Sequence, residues 1–323
     1  MFLFFHILYK FQYYIIRNFL FYRKALTFLW LILVFNMIVH TNIPYNSQVL
    51  KEDINSLKNK YSFIKVSTIG YSFLGKPLYC LTLGSGKKEV LYFGSIHANE
   101  WIVSPVLMKF IEDLSEAFSK NGKIYGYNAK EILEQATIYI VPMLNPDGVD
   151  LVTNFINQNS NPYKYARIIS RQYPNIPFPA GWKANLNGVD LNLQFPAGWL
   201  RARQIKYNQG FVSPAPRDFV GYGPLTEVEA LAIYNFTLSH NFYLTISYHT
   251  QGREIYWNFQ NINPPRGYEI GQQFANASGY SLAQVPYNSS FAGYKDWFIQ
   301  KYNRPRLYYW GRTWQQSASY LSV

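Results

Sequence analysis

Short apolar runs alternating with amphipathic segments predict an α/β domain whose sheet is covered by helices on both faces. Two observations carry this expectation. The runs "ATIYIVPML" and "FYLTISYHT" are apolar throughout rather than at every second position, as strands buried on both sides require. The segments between such runs repeat apolar residues every three or four positions, the spacing of a single helix face. With 323 residues, 49% hydrophobic and 15% charged, the chain can bury a sizeable core as one large or two ordinary domains.

The elements follow in order. "NSQVLKEDINSLKNKY" places Val49, Leu50, Ile54 and Leu57 on one helical face behind an Asn/Ser cap. "FIKVSTIG", "PLYCLTLG" and "EVLYFGSI" read as short strands separated by Gly and Pro. "SPVLMKFIEDLSEAF" is a helix, "ATIYIVPML" a buried strand, and "LTEVEALAIYNFTL" a helix with a capping-box start at Thr226 and Glu229. "FYLTISYHT" is a further strand and "RGYEIGQQFANASGY" a helix. The stretch from about 150 to 222 is rich in Asn, Pro and Gly and reads as loops rimming a site. No internal repeat is present.

The formal charge of +12 comes from scattered basic residues, with no run of five and no nucleic-acid module. No nucleic-acid partner is expected. An anionic polymer such as a cell wall, or a membrane surface, fits the charge equally well. The single Cys80 excludes an internal disulfide framework and a cysteine-rich metal site.

Residues 1–41 differ from the rest. "ALTFLWLILVFNMIV", Ala25 to Val39, is uncharged, and Lys10, Arg17, Arg23 and Lys24 precede it. Such a segment reads as a signal anchor with its N-terminus in the cytoplasm, although a span needs about 20 apolar residues. Two other readings stay open: a buried core helix, and non-native coding, since AT-rich DNA in an arbitrary frame yields Phe, Tyr, Ile and Leu. A native anchor places the protein at the membrane or cell envelope; otherwise it is cytoplasmic.

Three residues suggest a metal. His97 and Glu100 in "GSIHANEW" follow one strand, and His249 in "TISYHTQG" ends another. Two imidazoles and a carboxylate leave a fourth position open, the layout of a catalytic rather than a structural zinc. By spacing alone, unrelated core and surface residues are the favoured reading, because such a pair arises by chance in many chains.

Four ordered motifs, "GSIHANEWIVSPVL", "IVPMLNPDGV", "WKANLNGVDLNLQFPAGW" and "SYHTQGREIYW", resemble the zinc carboxypeptidase family. Within it they resemble the bacterial branch of γ-D-glutamyl-L-diamino acid endopeptidases, which act on cell-wall peptides. The resemblance covers about residues 42–305. It implies a three-layer α/β/α domain with a mixed, mostly parallel sheet of about eight strands. It also implies one zinc ion held by His97, Glu100 and His249, and a peptidoglycan-derived peptide as substrate. Asp190 would orient His97 from behind, its alternative being a strand-end cap. Lys183 stands where the carboxypeptidases carry an arginine that polarises the scissile carbonyl, its alternative being a solvated surface lysine. Asn192 matches a substrate-binding asparagine. The next residue, an arginine that clamps a terminal carboxylate in the carboxypeptidases, is here Leu193, which argues against ordinary carboxypeptidase specificity. Tyr287 resembles the tyrosine that closes over substrate, with a rim or packing tyrosine as its alternative.

The family's general-base glutamate lies on the last core strand. Counting from Trp297 by the family's spacing lands on Trp310, and no acidic residue follows Asp296. Indole cannot accept a proton in this role. Residues 306–323 therefore read as an aberrant tail with the C-terminal strand and helix altered or missing. A shift of frame near Arg306 permits "GYTIGEELGNNPLPI", which carries acidic residues and turn chemistry. A non-catalytic zinc- and peptide-binding protein is the alternative that keeps the site but lacks the base.

Overall fold

A computed structural model of the chain describes residues 37–311. Among them are nine α-helices and ten strands. Of the expected N-terminal segment 1–41, residues 1–36 lie outside the described residues, as do residues 312–323 of the expected tail 306–323. No helix among those described is long and apolar enough to cross a membrane.

The helices are α1 (Ser47–Lys60), α2 (Val103–Ser119), α3 (Ala129–Gln135), α4 (Pro146–Val152), α5 (Asn161–Arg171), α6 (Trp199–Asn208), α7 (Val228–Leu238), α8 (Gly267–Ser278) and α9 (Tyr294–Tyr302). Six strands of six or seven residues build the sheet: β1 (Lys65–Tyr71), β2 (Pro77–Leu83), β3 (Lys88–Phe93), β6 (Ala136–Val141), β7 (Leu244–Thr250) and β10 (Arg306–Gly311). Two three-residue strands, β8 (Glu254–Tyr256) and β9 (Ser281–Ala283), complete it, and β4 (Lys123–Ile124) with β5 (Tyr127–Asn128) forms a separate ribbon. The order is β1-β2-β6-β3-β7-β10-β8-β9. The four central strands β6, β3, β7 and β10 run parallel, flanked by antiparallel pairings of β2 with β6 and of β8 with β10.

Alternation along β3 sorts the two cores. Val90 and Tyr92 face α1, α2, α3 and α8, while Leu91 and Phe93 face α7 and α9. This is the three-layer mixed α/β architecture that the sequence predicts. Each fully buried aliphatic side chain in these layers removes apolar surface worth roughly 1.5–3 kcal/mol, so the layers rather than helix propensity fix the strand ends.

Three differences from the sequence reading have local causes. The stretch 150–222 contains α5 and α6: Ser160 caps α5 at Tyr163 N, with Pro162 in the first turn, and Gly198 opens α6 with φ 68. The capping box at Thr226 and Glu229 does not form. The Gln194 Oε1 accepts from Thr226 N, its hydroxyl and Glu227 N, so one amide takes over the cap. Glu229 instead accepts from Phe73 N and Asn185. The C-terminal strand is present, not lost: β10 pairs with β7 on one side and β8 on the other. Its "RLYYW" run is rich in aromatic residues that suit a strand.

The packed chain also reaches back before residue 42. Ile38 N and Val39 N donate to the Glu112 carboxylate, His40 N donates to Asp53, and Val39 is buried.

Candidate active site

β3 and β7 are adjacent parallel strands, so their C-terminal ends bring "HANE" and His249 to one place. That is where open parallel sheets carry their ligand crevices. The chain leaves β3 through Ser95 (φ 49) and turns into a single 3-10 turn, Ala98–Glu100. This turn carries His97 and Glu100 onto the same side as His249. Two backbone bonds clamp it to the next segment: Ala98 N donates to Lys183 O (3.0 Å) and Asn99 N to Trp182 O (3.1 Å). The fully buried Trp182 anchors that segment, its Nε1 donating to Asn185 O.

His97, Glu100 and His249 converge and are all buried. Glu100 Oε2 lies 3.1 Å from His97 Nδ1 and 2.7 Å from His249 Nδ1, and the two Nδ1 atoms are 3.2 Å apart. Ligand atoms around a tetrahedral zinc at about 2.0–2.1 Å stand about 3.3 Å from one another. Two of the three separations match that value and the third is shorter, so small outward movements seat the ion. The donor set, two imidazole nitrogens and a carboxylate oxygen, is the one zinc favours where a coordination position stays open.

The backing group is present as well. His97 Nε2 lies 3.3 Å from Asp190 Oδ1. A hydrogen on Nε2 can donate there; without metal the ring is protonated on Nδ1 too, and that second proton would be displaced by a metal while Asp190 keeps the first. Asp190 also caps a 3-10 turn, Leu191–Leu193, by accepting from Asn192 N. Both readings of this residue hold. Gly188, at φ 72, makes the turn that presents Asp190, and a side chain there would meet Pro214.

Charge holds the cluster together. Burial alone depresses the His97 pKa, but the Glu100 and Asp190 carboxylates outweigh it and lift His97 to about 9. Burial also dominates at His249 and drops it to about 4, so this imidazole is neutral. For Glu100 burial is outweighed by His97, His249 and Lys183, which keep it ionised well below the usual carboxylate range. Asp190 is held down likewise, burial being outweighed by His97.

A family profile described as zinc carboxypeptidase matches residues 50–316. The chain belongs to the zinc carboxypeptidase family. It is 40% identical over 261 residues to gamma-D-glutamyl-L-diamino acid endopeptidase 1 of Lysinibacillus sphaericus, covering 81% of this chain and 64% of that protein. The chain thus spans less than two thirds of that relative's length. It is 33% identical over 260 residues to the uncharacterized protein YqgT of Bacillus subtilis, covering 80% and 67%. The carboxypeptidase A from Helicoverpa armigera shares the fold at 19% identity and a TM-score of 0.61, over 83% of this chain and 64% of that one. The family is defined by one zinc ion, and the His97, Glu100 and His249 cluster provides the place for it.

Around this zinc carboxypeptidase-family centre, the remaining sequence candidates separate. Lys183 is not a surface lysine: it is buried, with Nζ 3.5 Å from Glu100 Oε1. Asn192 lines the cleft, its Oδ1 accepting from Tyr294 N. Leu193 lines it too, buried among Trp199, Ala202, Val220 and Ala292, so it contributes hydrocarbon where a clamp was sought. Tyr287 sits exposed on the rim, its hydroxyl accepting from Arg201 Nε (3.2 Å). Trp310 occupies the β10 position paired with His249 on β7.

One set of residues gave no sequence signal. The loop "PAPRDF" packs on the segment carrying Lys183 and Asp190, and brings Arg217 and Asp218 into the cleft. Lys206 on α6 reaches the same carboxylate. The helix α9 adds Lys295 and Asp296, an ion pair buried in the cleft wall.

Proposed function

We propose that this chain is a zinc-dependent peptidase of cell-wall peptides, directed at the γ-D-glutamyl–diamino acid bond, whose turnover is strongly reduced because position 310 holds tryptophan. The observation that carries the reading is the buried His97, Glu100 and His249 cluster backed by Asp190. It sits in a chain 40% identical to a protein named for cleaving that bond.

When bound, zinc supplies Lewis acidity that polarises a carbonyl and acidifies water. The chain's own groups do the rest. Asp190 fixes the ring of His97 and its tautomer. Lys183 holds a positive charge beside Glu100, on the wall where negative charge develops as a carbonyl is attacked. Lysine supplies this as a point charge, without the bidentate fork of arginine. Asn192 offers an amide to the peptide. Lys206 and Arg217, which share the single carboxylate of Asp218, make the cleft attractive to an acidic ligand.

One observation favours a second reading. Trp310 is in register with His249, where a carboxylate would take the proton from water and pass it to the leaving amine. Without that carboxylate the chain acts as a zinc- and peptide-binding protein. Measuring zinc content and hydrolysis of a γ-D-glutamyl-diaminopimelate peptide, on this chain and on W310E, decides between them. Stoichiometric zinc, trace hydrolysis and a rise of about 10²–10⁴ in W310E support the peptidase reading. Stoichiometric zinc and peptide binding with no hydrolysis by either chain supports the binding reading, and absence of zinc sinks both. Location at the cell envelope is part of the same proposal and rests on the anchor reading of residues 1–41.

A further inference from the structure

Arg217 carries hydrogen-bonding capacity that the protein does not use. Its Nε donates to Asp218 Oδ2 at 2.6 Å, and no acceptor among the described residues takes a bond from its two terminal nitrogens. The other oxygen of Asp218 accepts from Lys206 Nζ at 2.5 Å. Two cations therefore share one carboxylate, and this wall of the cleft keeps a net positive charge. The other charged groups there have partners: Lys295 pairs with Asp296, Lys183 with Glu100 and His97 with Asp190. Burial lowers the Arg217 pKa, but Asp218 outweighs it, and the Asp190 carboxylate also lies close enough to help raise it. Arg217 and His97 line one cavity of about 240 Å³, so the arginine and one residue of the metal cluster border the same space.

The loop that bears Arg217 is rigidly held. Pro216 O accepts from both Lys183 N and Ala184 N (2.8 and 2.9 Å), and Ala215 N donates to Gly188 O. Asp218 N donates to Asp190 Oδ2 (3.3 Å), which ties the residue after Arg217 to the carboxylate behind the metal ligand. Asp218 has φ 65, in the left-handed region that costs a non-glycine residue energy. Both its side-chain oxygens and its N–H are engaged, so the surroundings hold it there, as they do at built sites. Leu193 lines the same cavity and contributes hydrocarbon, not a cation.

We propose that Arg217 is the carboxylate anchor of this cleft, taking a substrate carboxylate on its terminal nitrogens. This assignment rests on the cell-wall peptide reading and specifies how such a peptide is held. A γ-linked glutamyl residue leaves its α-carboxylate free, roughly 5 Å along the chain from the carbonyl to be cleaved. Diaminopimelate adds a second carboxylate at the far end of its side chain. Either gives a guanidinium the planar two-oxygen partner it binds best.

The test uses the zinc-loaded full chain, titrated calorimetrically with a γ-D-glutamyl-diaminopimelate peptide and two analogues. One analogue has a carboxamide for the glutamyl α-carboxylate, and the other has lysine for diaminopimelate. The wild-type chain is expected to bind one analogue about ten- to a hundredfold more weakly than the parent. That analogue names the carboxylate held. R217Q is expected to bind the parent as weakly as the wild type binds that analogue, with no further loss on the analogue itself. R217K, keeping charge without the fork, is expected to fall between. If R217Q binds the parent as tightly as the wild type does, or still discriminates between parent and analogue, the assignment is wrong. Equal wild-type binding of all three peptides overturns the assignment and leaves the substrate reading standing. Failure of the wild type to bind the parent overturns that reading, and the assignment with it. Arg217 is half-exposed and its loop is held through backbone atoms and Asp218, so R217Q keeps the fold.

Discussion

Asp190 touches two segments at once: its Oδ1 lies 3.3 Å from His97 Nε2, and its Oδ2 accepts from Asp218 N, also at 3.3 Å. A single carboxylate thus orients a metal ligand and positions the loop that carries Arg217. D190N keeps the shape but removes the charge and one acceptor. It is expected to weaken zinc binding about 10–100-fold, read by competition with a chelator. Unchanged affinity would mean that His97 is oriented by its neighbours alone.

Lys183 and Glu100 form a buried ion pair, and removing one partner leaves the other uncompensated. Losses in such cases run to roughly 3–5 kcal/mol. K183M is expected to lose stability in the zinc-free protein and to regain much of it when zinc restores positive charge near Glu100. Chemical denaturation with and without zinc reads the difference. Equal losses in the two states would show that Lys183 acts by packing.

Glu229 gives the chain a pH dependence of its own. Burial, the largest influence, raises its pKa to about 7, against the pull of Phe73 N and Asn185, with Asp147 adding to the rise. The folded state therefore holds a proton that the unfolded chain releases above about 4.5. The stability this contributes is fully present below about 4.5, is lost as pH rises to about 7, and is flat beyond. A rise of this size corresponds to about 3 kcal/mol. E229Q is expected to flatten the slope between pH 5 and 7, measured as the difference from wild type in denaturant midpoints. An unchanged slope would remove Glu229 as its source.

Glu112 holds the start of the described chain, accepting from Ile38 N and Val39 N while Lys109 balances its charge. E112A is expected to free this segment. The readout is faster proteolytic cleavage around residues 37–40, with cleavage elsewhere and zinc binding unchanged. Equal cleavage rates would mean that Val39 packing alone holds it.

Most of the metal centre is legible in the sequence for a simple reason. His97, Glu100 and His249 lie at or just after the ends of apolar strands, and parallel neighbours in a sheet place such ends together. The helices α1 and α2 are legible because their apolar faces repeat at helical spacing. Arg217 and Asp218 are not, because their place depends on Pro216 O bonding to residues 183 and 184, a contact with no local pattern. The Thr226 cap misleads for the same reason: Gln194, distant in sequence, competes for the same N–H groups. β10 escapes notice because an aromatic run without acidic residues reads as damage before its two partners are known.

Sheet order is not chain order at β10. The last described strand lies between β7 and β8, so the β8, β9 and α8 wing joins the central sheet through a strand made after all of them. During synthesis, β7 and β8 wait with unpaired edges until Arg306–Gly311 leaves the ribosome. Exposed edges of this kind template aggregation, and pairing across long sequence separations is slow. Completion of the sheet therefore waits on a strand made more than fifty residues after β7.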